Sequence, residues 1–227
     1  MFNAKSEMLL NPDKLPPVHI VGCGSTGSFV AFYLAKMGVK DLHLYDFDNV
    51  SHNNVGNQLF GYTDIGDPKV KALSDIIYWN TDTVVETYNE KVKGKKFDGI
   101  VFILTDTMKS RENIIKANIR NEKCPLLIET RLGVYDSRVY AIDPNNPKHT
   151  KNLIKTLGTD KSEDIDSELV SDCGVRQDLI SSANIVAGLA VQKLLHWHNN
   201  TNKDLPLVNE LLIGFMNSIF ITENIWD

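Results

Sequence analysis

Cysteine is scarce in this 227-residue sequence: Cys23, Cys124 and Cys173 stand far apart, and no Cys-x-x-Cys pair occurs. That argues against a disulfide framework and a zinc ribbon, and for a reducing compartment, the cytoplasm. No long run of one charge sign occurs. Lys+Arg number 24 against Asp+Glu 29, a net charge of −5. A protein built to grip a phosphate backbone would show a basic stripe, so nucleic acid is not an expected partner. The first 14 residues lack the apolar stretch behind positive charge that marks a signal peptide. The most apolar long stretch, 179–195, contains Ser181, Ser182, Asn184, Gln192 and Lys193. It reads as a buried helix rather than a membrane span, and no membrane partner is expected. Hydrophobic residues make up 42% and charged residues 23%, the balance of a globular domain long enough to bury a full core without staples.

The order of elements points to an α/β fold. Residues 18–21 form a short apolar run that reads as a buried strand; a glycine turn follows, then helical spacing over 28–37 and a second strand over 41–46. Strand, turn, helix and strand in under 30 residues make a βαβ unit, hence a parallel sheet. Asp67 and Pro68 read as N-cap and first residue of a helix to about residue 79. Strands are expected over 83–88, 97–104, 125–129 and 133–142, with a helix over 109–121. Residues 143–172 break the rhythm and read as a crossover with short helical fragments. A long helix over 175–197 carries small residues that permit close approach to a neighbour, a dimer partner among the possibilities. Two closing strands are expected over 207–213 and 219–223.

The glycine turn is Gly22-Cys23-Gly24-Ser25-Thr26-Gly27. Gly22 permits the tight turn, Gly24 lets backbone approach a phosphate, and Gly27 lets the helix pack on the sheet. The helix start then offers free N–H groups and a positive dipole end to an anion. Asp46, 19 residues beyond Gly27 at the end of the second strand, suits ribose hydroxyls. These features fit NAD(P) as well as ATP. Lys69 and Lys71 lie at a helix start, where positive charge opposes the macrodipole. A residue placed against its local preference often serves a site, and Lys69 is the candidate. The bland alternative is a solvated lysine, with Lys71 paired to Asp75. Asp106, closing the fourth strand, is either the N-cap of the next helix or a carboxylate for Mg²⁺ beside nucleotide phosphates.

Taken together, Val21-Gly22-Cys23-Gly24-Ser25-Thr26-Gly27, Tyr45-Asp46-Phe47-Asp48-Asn49-Val50, Asn54-x-x-x-Gln58, Gly66-Asp67-Pro68-Lys69 and Thr105-Asp106-x-x-x-x-Arg111 resemble the ThiF/MoeB/HesA (E1-like) family of adenylyltransferases. The resemblance implies a single Rossmann-like, doubly wound, mostly parallel sheet with an antiparallel C-terminal extension. Its nucleotide-binding core would span 18–143, its crossover 144–173, and its long helix and closing strands 174–227. It implies ATP- and Mg²⁺-dependent adenylation of the C-terminal glycine carboxylate of a ubiquitin-like or sulfur-carrier protein, by a homodimer. Gly22, Gly24 and Gly27 would hold the phosphates, Asp46 the ribose with Asp48 beside it, and Asn54 and Gln58 the phosphate region. Lys69 would neutralise developing charge, Asp106 would hold Mg²⁺, and Arg111 would support the nucleotide.

Three departures stand out. The family's Asn-x-x-Arg-Gln has Asn57 in place of its arginine, and an amide cannot neutralise a phosphate. The arginine that family dimers reach into the neighbouring site has no counterpart beyond Lys5 and Lys14. The zinc-binding cysteine pairs of many members are missing, so no zinc is expected. Arg131, after the fifth strand, is a candidate replacement cation; the alternative is a surface arginine paired with Glu129 or Asp136. Cys173 is a candidate thioester or persulfide cysteine, with a structural cysteine as the alternative. Two further readings keep parts of this picture: a catalytically impaired nucleotide-binding scaffold subunit, and an NAD(P)-dependent oxidoreductase.

Overall fold

The structure, a computed structural model, describes residues 10–133, 135–159, 180–200, 205–215 and 219–226. Cys173 and Lys5 lie outside them. The elements run β1 (Val18–Val21), α1 (Ser25–Lys36), β2 (Leu42–Tyr45), α2 (Lys69–Thr81), β3 (Glu86–Tyr88), β4 (Ile100–Ile103) and α3 (Met108–Asn118). Then come β5 (Leu127–Leu132), β6 (Asp136–Ile142), α4 (Pro147–Thr159), a helix Ile180–Asn199 that we call α5, β7 (Glu210–Gly214) and β8 (Phe220–Asn224). They build one eight-stranded sheet in the order β3-β2-β1-β4-β5-β6-β7-β8. Strands β3 through β5 are parallel, and the β5–β6, β6–β7 and β7–β8 pairings are antiparallel. This is the doubly wound sheet with an antiparallel extension expected from the sequence.

Apolar side chains on both faces of the central strands explain why these runs are nearly continuous rather than alternating. One face carries Ile20, Leu44, Phe102 and Ile128 against α1, α2 and α5. The other carries Val21, Val101, Ile103 and Leu127 against Ile114 and Ile115 of α3 and Leu153 of α4. The small residues of α5 serve this core: Ala183, Ala187 and Ala190 are fully buried within the chain. Their close neighbour includes α1, whose Tyr33 hydroxyl bonds Asn184. The neighbour those residues admit is therefore part of the same chain.

Several boundaries differ from expectation for physical reasons. Helix α1 starts at Ser25, inside the glycine turn. Helix α2 starts at Lys69, because Pro68 has an extended ψ of 133° and so serves as the cap position itself. The Asp67 carboxylate does not cap; it pairs with Lys71 Nζ at 3.1 Å, which also holds Asp75 at 3.0 Å. Strand β5 continues to Leu132 because β6 pairs with its full length, Leu132 opposite Ser137. The crossover opens with a 13-residue helix, α4, where fragments were expected. Pro147 is tolerated at its first position, where the proline's missing N–H would have had no partner.

Candidate functional site

The strand order reverses at β1, between β2 on one side and β4 on the other. Ligands of open α/β sheets bind at such switch points, beyond the C-terminal strand ends. A cleft of about 260 Å³ opens there, walled by the ends of β1, β2 and β4, the start of α1, and residues of α2, α3 and β5.

The glycine turn forms its floor. Gly22 has φ +99°, and a Cβ there would stand 2.5 Å from the Leu104 carbonyl oxygen. A Cβ on Gly27 would meet the Gly22 oxygen at 1.9 Å, so the turn and helix α1 touch backbone to backbone. Gly24 differs: the nearest atom to a Cβ would be Gln58 Nε2 at 3.9 Å, so its bare backbone borders space rather than protein. Helix α1 closes its first turn with Ser28 N–H on the Gly24 oxygen at 3.0 Å. The leading N–H groups of a helix have no partner inside it, and here Ser25 and Thr26 line the cleft.

Asp46 ties the turn to β2. One carboxylate oxygen accepts from Cys23 N–H at 2.7 Å, the other from Asp48 N–H at 2.9 Å. Burial raises its pKa, against the lowering pull of these two bonds and of Lys69. Each carboxylate oxygen retains a second acceptor site, so Asp46 can still receive hydroxyl donors. Cys23 is fully buried, and burial followed by the Asp46 charge pushes its thiol well above its ordinary value. That is the opposite of the activation a helix start could give, and it makes Cys23 a turn-filling residue.

Lys69 is brought in by the backbone. Its N–H donates to the Asp48 oxygen at 2.9 Å, which pins the start of α2 to the loop after β2. The Lys69 side chain is 9% exposed, with Nζ 3.3 Å from Asp48 Oδ2, while Asp48 is 47% exposed. Asp106 lines the cleft at the end of β4. It is not the N-cap of α3: Thr107 is, its side chain accepting from Ser110 N–H at 3.3 Å. The structural alternative for Asp106 is thereby taken by its neighbour, and its carboxylate stays available.

Three buried polar atoms of cleft residues lack a hydrogen-bond partner: Gln58 Oε1, Thr105 Oγ1 and Arg111 Nε. Orphaned groups are costly in a native fold, and three around one cleft indicate a polar occupant.

Of the sequence-derived candidates, Gly22, Gly24, Asp46, Asp48, Gln58, Lys69, Asp106 and Arg111 line this cleft. Gly27 supports it from behind. Asn54 does not line it; its Oδ1 accepts from Ser51 N–H at 2.9 Å and Ser51 Oγ at 3.0 Å, closing a one-turn capping box. Arg131 does not line it either. It lies inside β5, buried, with Nε on Glu129 at 3.0 and 3.1 Å and Nη2 on Thr156 Oγ1 at 2.8 Å. Strand parity sets this: Thr130 and Leu132 line the cleft while Arg131 is turned toward α4. Sequence reasoning passed over Thr105 as a ligand-facing group. The alternative partner named for Arg131, Glu129, is the one it has, but the pair is buried and not on the surface. The signal for burial was a charge following the apolar run Leu126-Leu127-Ile128, which could be buried only with a partner.

The ThiF family model matches residues 15–220. The chain belongs to the ThiF family. Among curated relatives, the molybdopterin-synthase adenylyltransferase of Haemophilus influenzae is 33% identical over 144 residues, 57% of this chain and 57% of that protein. Ubiquitin-like modifier-activating enzyme 5 of Drosophila mojavensis is 36% identical over 76 residues, 33% of this chain and 19% of that protein. Among solved structures, Escherichia coli MccB with AMPCPP and MccA superposes with a TM-score of 0.73 at 18% identity, over 95% of this chain and 65% of that one. PaaA gives 0.69 at 20% identity, over 92% and 64%. This ThiF-family chain thus spans less than two thirds of the length of each of these relatives, and the two structures show the shared fold. Among its described residues no helix is long and apolar enough to cross a membrane.

Proposed function

We propose that this ThiF-family chain is a cytoplasmic enzyme that adenylates a carboxylate at the expense of ATP. The observation that carries the reading is the convergence on one cleft of the glycine turn, the paired Asp46 acceptor, the buried Lys69 ammonium and the uncommitted Asp106 carboxylate. The glycine turn and the start of α1 hold phosphate oxygens, and Asp46 receives the ribose hydroxyls. Lys69 leaves Asp48 for the phosphates, which is an exchange of one partly solvated anion for a more highly charged one. A substrate carboxylate oxygen attacks the α-phosphorus, the bond from that phosphorus to the bridging oxygen breaks, and acyl adenylate and pyrophosphate form. A carboxylate is already deprotonated at neutral pH, so the step needs no general base. Its barrier is lowered by positioning and by charge placed in advance.

Among the described residues no group of three or more His, Cys, Asp or Glu is arranged to hold a metal. Mg²⁺ needs no such cage, since it takes one or two carboxylates with nucleotide phosphates, and Asp106 fits that role. When bound, the ion would neutralise phosphate charge there.

For the acceptor we propose the C-terminal glycine of a ubiquitin-like or sulfur-carrier protein, and for the assembly a homodimer. The family membership and the relatives named for molybdopterin synthase and ubiquitin-like modifiers support the acceptor; the homodimer rests on the sequence resemblance alone. ATP–pyrophosphate exchange with Mg²⁺, with and without such carriers, tests the first; light scattering of the purified chain tests the second. A second reading has its own observation. Asn57 replaces the family's arginine, and Arg131 is bound to Glu129 and Thr156 instead of lining the cleft. A chain short of one cation could serve as a nucleotide-binding scaffold for a catalytic partner. Carrier-dependent exchange by the lone protein rejects that reading; ATP binding without exchange favours it.

A further inference from the structure

Glu129 is fully buried in the middle of β5. A carboxylate there must be matched by charge, and it is matched twice: Arg111 Nη1 lies 2.6 Å away and Arg131 Nε 3.0 Å away. The two arginines look in different directions. Arg111, 8% exposed, lines the cleft, and its Nε has no hydrogen-bond partner. Arg131 reaches α4, where its Nη1 donates to the Thr156 carbonyl at 3.2 Å and its Nη2 to Thr156 Oγ1 at 2.8 Å. Its guanidinium also lies 4.6 Å from the centre of the Tyr140 ring. One buried carboxylate therefore joins the nucleotide cleft to a helix on the outer face of the sheet.

The unused donor sets the direction of the coupling. Glu129 holds Arg111 through Nη1, and the partnerless Nε of the same guanidinium stands at the cleft side. A phosphate oxygen arriving through the cleft satisfies that donor with a charge-assisted hydrogen bond. On the β2 side of the cleft Asp46 is the acceptor for ribose, so Arg111, from the β4–β5 side, meets the phosphate portion of the same ligand.

We infer that Glu129 is a positioning residue that aims Arg111 at a phosphate group and, through Arg131 and Thr156, ties that aim to the seating of α4. The inference rests on the nucleotide reading of the cleft, and it adds a residue that touches no ligand. Glu129→Gln keeps the shape but removes the shared charge. Thr156→Val removes the Arg131 Nη2 contact with α4, together with the bond from Thr156 Oγ1 to the Leu153 carbonyl, and alters no cleft residue, and it carries the test should the glutamine variant not fold.

Calorimetry with Mg-ATP and with adenosine, beside hydrogen exchange of α4 in the ligand-free protein, reads both ends of the link. Glu129→Gln is expected to bind Mg-ATP about tenfold more weakly while adenosine binding is unchanged. Thr156→Val should weaken Mg-ATP by roughly two- to threefold. Both should speed exchange in α4. A merely structural role would lower the melting temperature and leave the ratio of ATP to adenosine affinity where it was; that result overturns the inference, as does unchanged α4 exchange. Should the wild type bind neither ligand, the nucleotide reading falls, and α4 exchange in the two variants still decides whether Glu129 holds the helix.

Discussion

Replacing Lys69 with methionine separates chemistry from folding more cleanly than any other change in the cleft. The ammonium sits 3.3 Å from an Asp48 carboxylate that is nearly half exposed. Such a partly solvated pair contributes about 0–1 kcal/mol to stability. Lys69 is also the first residue of α2, so its charge opposes the helix dipole, and removing it returns about 0.3–1 kcal/mol. Methionine keeps the packed stem. The two effects nearly cancel, and the melting temperature should move by no more than about 2–4 °C for a domain of this size. Catalysis should respond very differently. A cation about 4 Å from a phosphate oxygen at an effective dielectric of 20 interacts with about 4 kcal/mol. Losing one pre-placed group of this kind costs about 10²–10³ in rate. ATP–pyrophosphate exchange read beside thermal melting gives both numbers, with Lys71→Met, a solvated pair on the same helix, as control. Exchange within about threefold of wild type in Lys69→Met would refute the assignment.

Further outcomes follow from neighbouring geometry. Thr107, not Asp106, caps α3, so Asp106→Ala should abolish most exchange without lowering stability, whereas Thr107→Ala should cost about 1 kcal/mol and spare the chemistry. The reverse pattern, by denaturant titration and exchange assay, would contradict both roles. Gly27→Ala would place a Cβ 1.9 Å from the Gly22 oxygen and should cost ~3 kcal/mol or more, while Gly24→Ala should fold and bind Mg-ATP more weakly. Equal melting temperatures for the two variants would count against the close-packed turn. Lys193, buried in α5, has its pKa lowered from 10.5 to about 8 by burial. Between those values the unfolded chain binds the extra proton and the folded one does not, so stability should rise with pH across that window by roughly 2–3 kcal/mol. Urea unfolding at several pH values should show this rise in the wild type and not in Lys193→Met.

The parallel core was legible because its strands are short apolar runs and its glycine turn admits almost no other residue. The place of Lys69 in the cleft wall was legible for a different reason: a cation at a helix start is a local misfit, and the structure sets it beside Asp48 there. Asp106 was ambiguous until the backbone showed Thr107 in the capping position, one residue away. Arg131 was placed beyond the end of a strand, and the strand goes on. Antiparallel pairing with β6 extends β5 to Leu132, and alternation then turns Arg131 away from the cleft and toward Thr156. No local pattern reports such a tertiary pairing. Asn54 matched a motif, but three residues earlier Ser51 offered it a nearer use as a capping partner. Helix α4 was hidden by two prolines, Pro144 outside it and Pro147 in the one helical turn that tolerates proline.

The most direct test of the central claim is which bond of ATP is broken. Incubating the protein with Mg-ATP labelled at the α-phosphate and a carrier ending in glycine should yield label on the carrier carboxylate or as AMP, with pyrophosphate as the other product. Release of ADP and orthophosphate would contradict adenylation, since it would mean attack at the γ-phosphate in place of the α-phosphate.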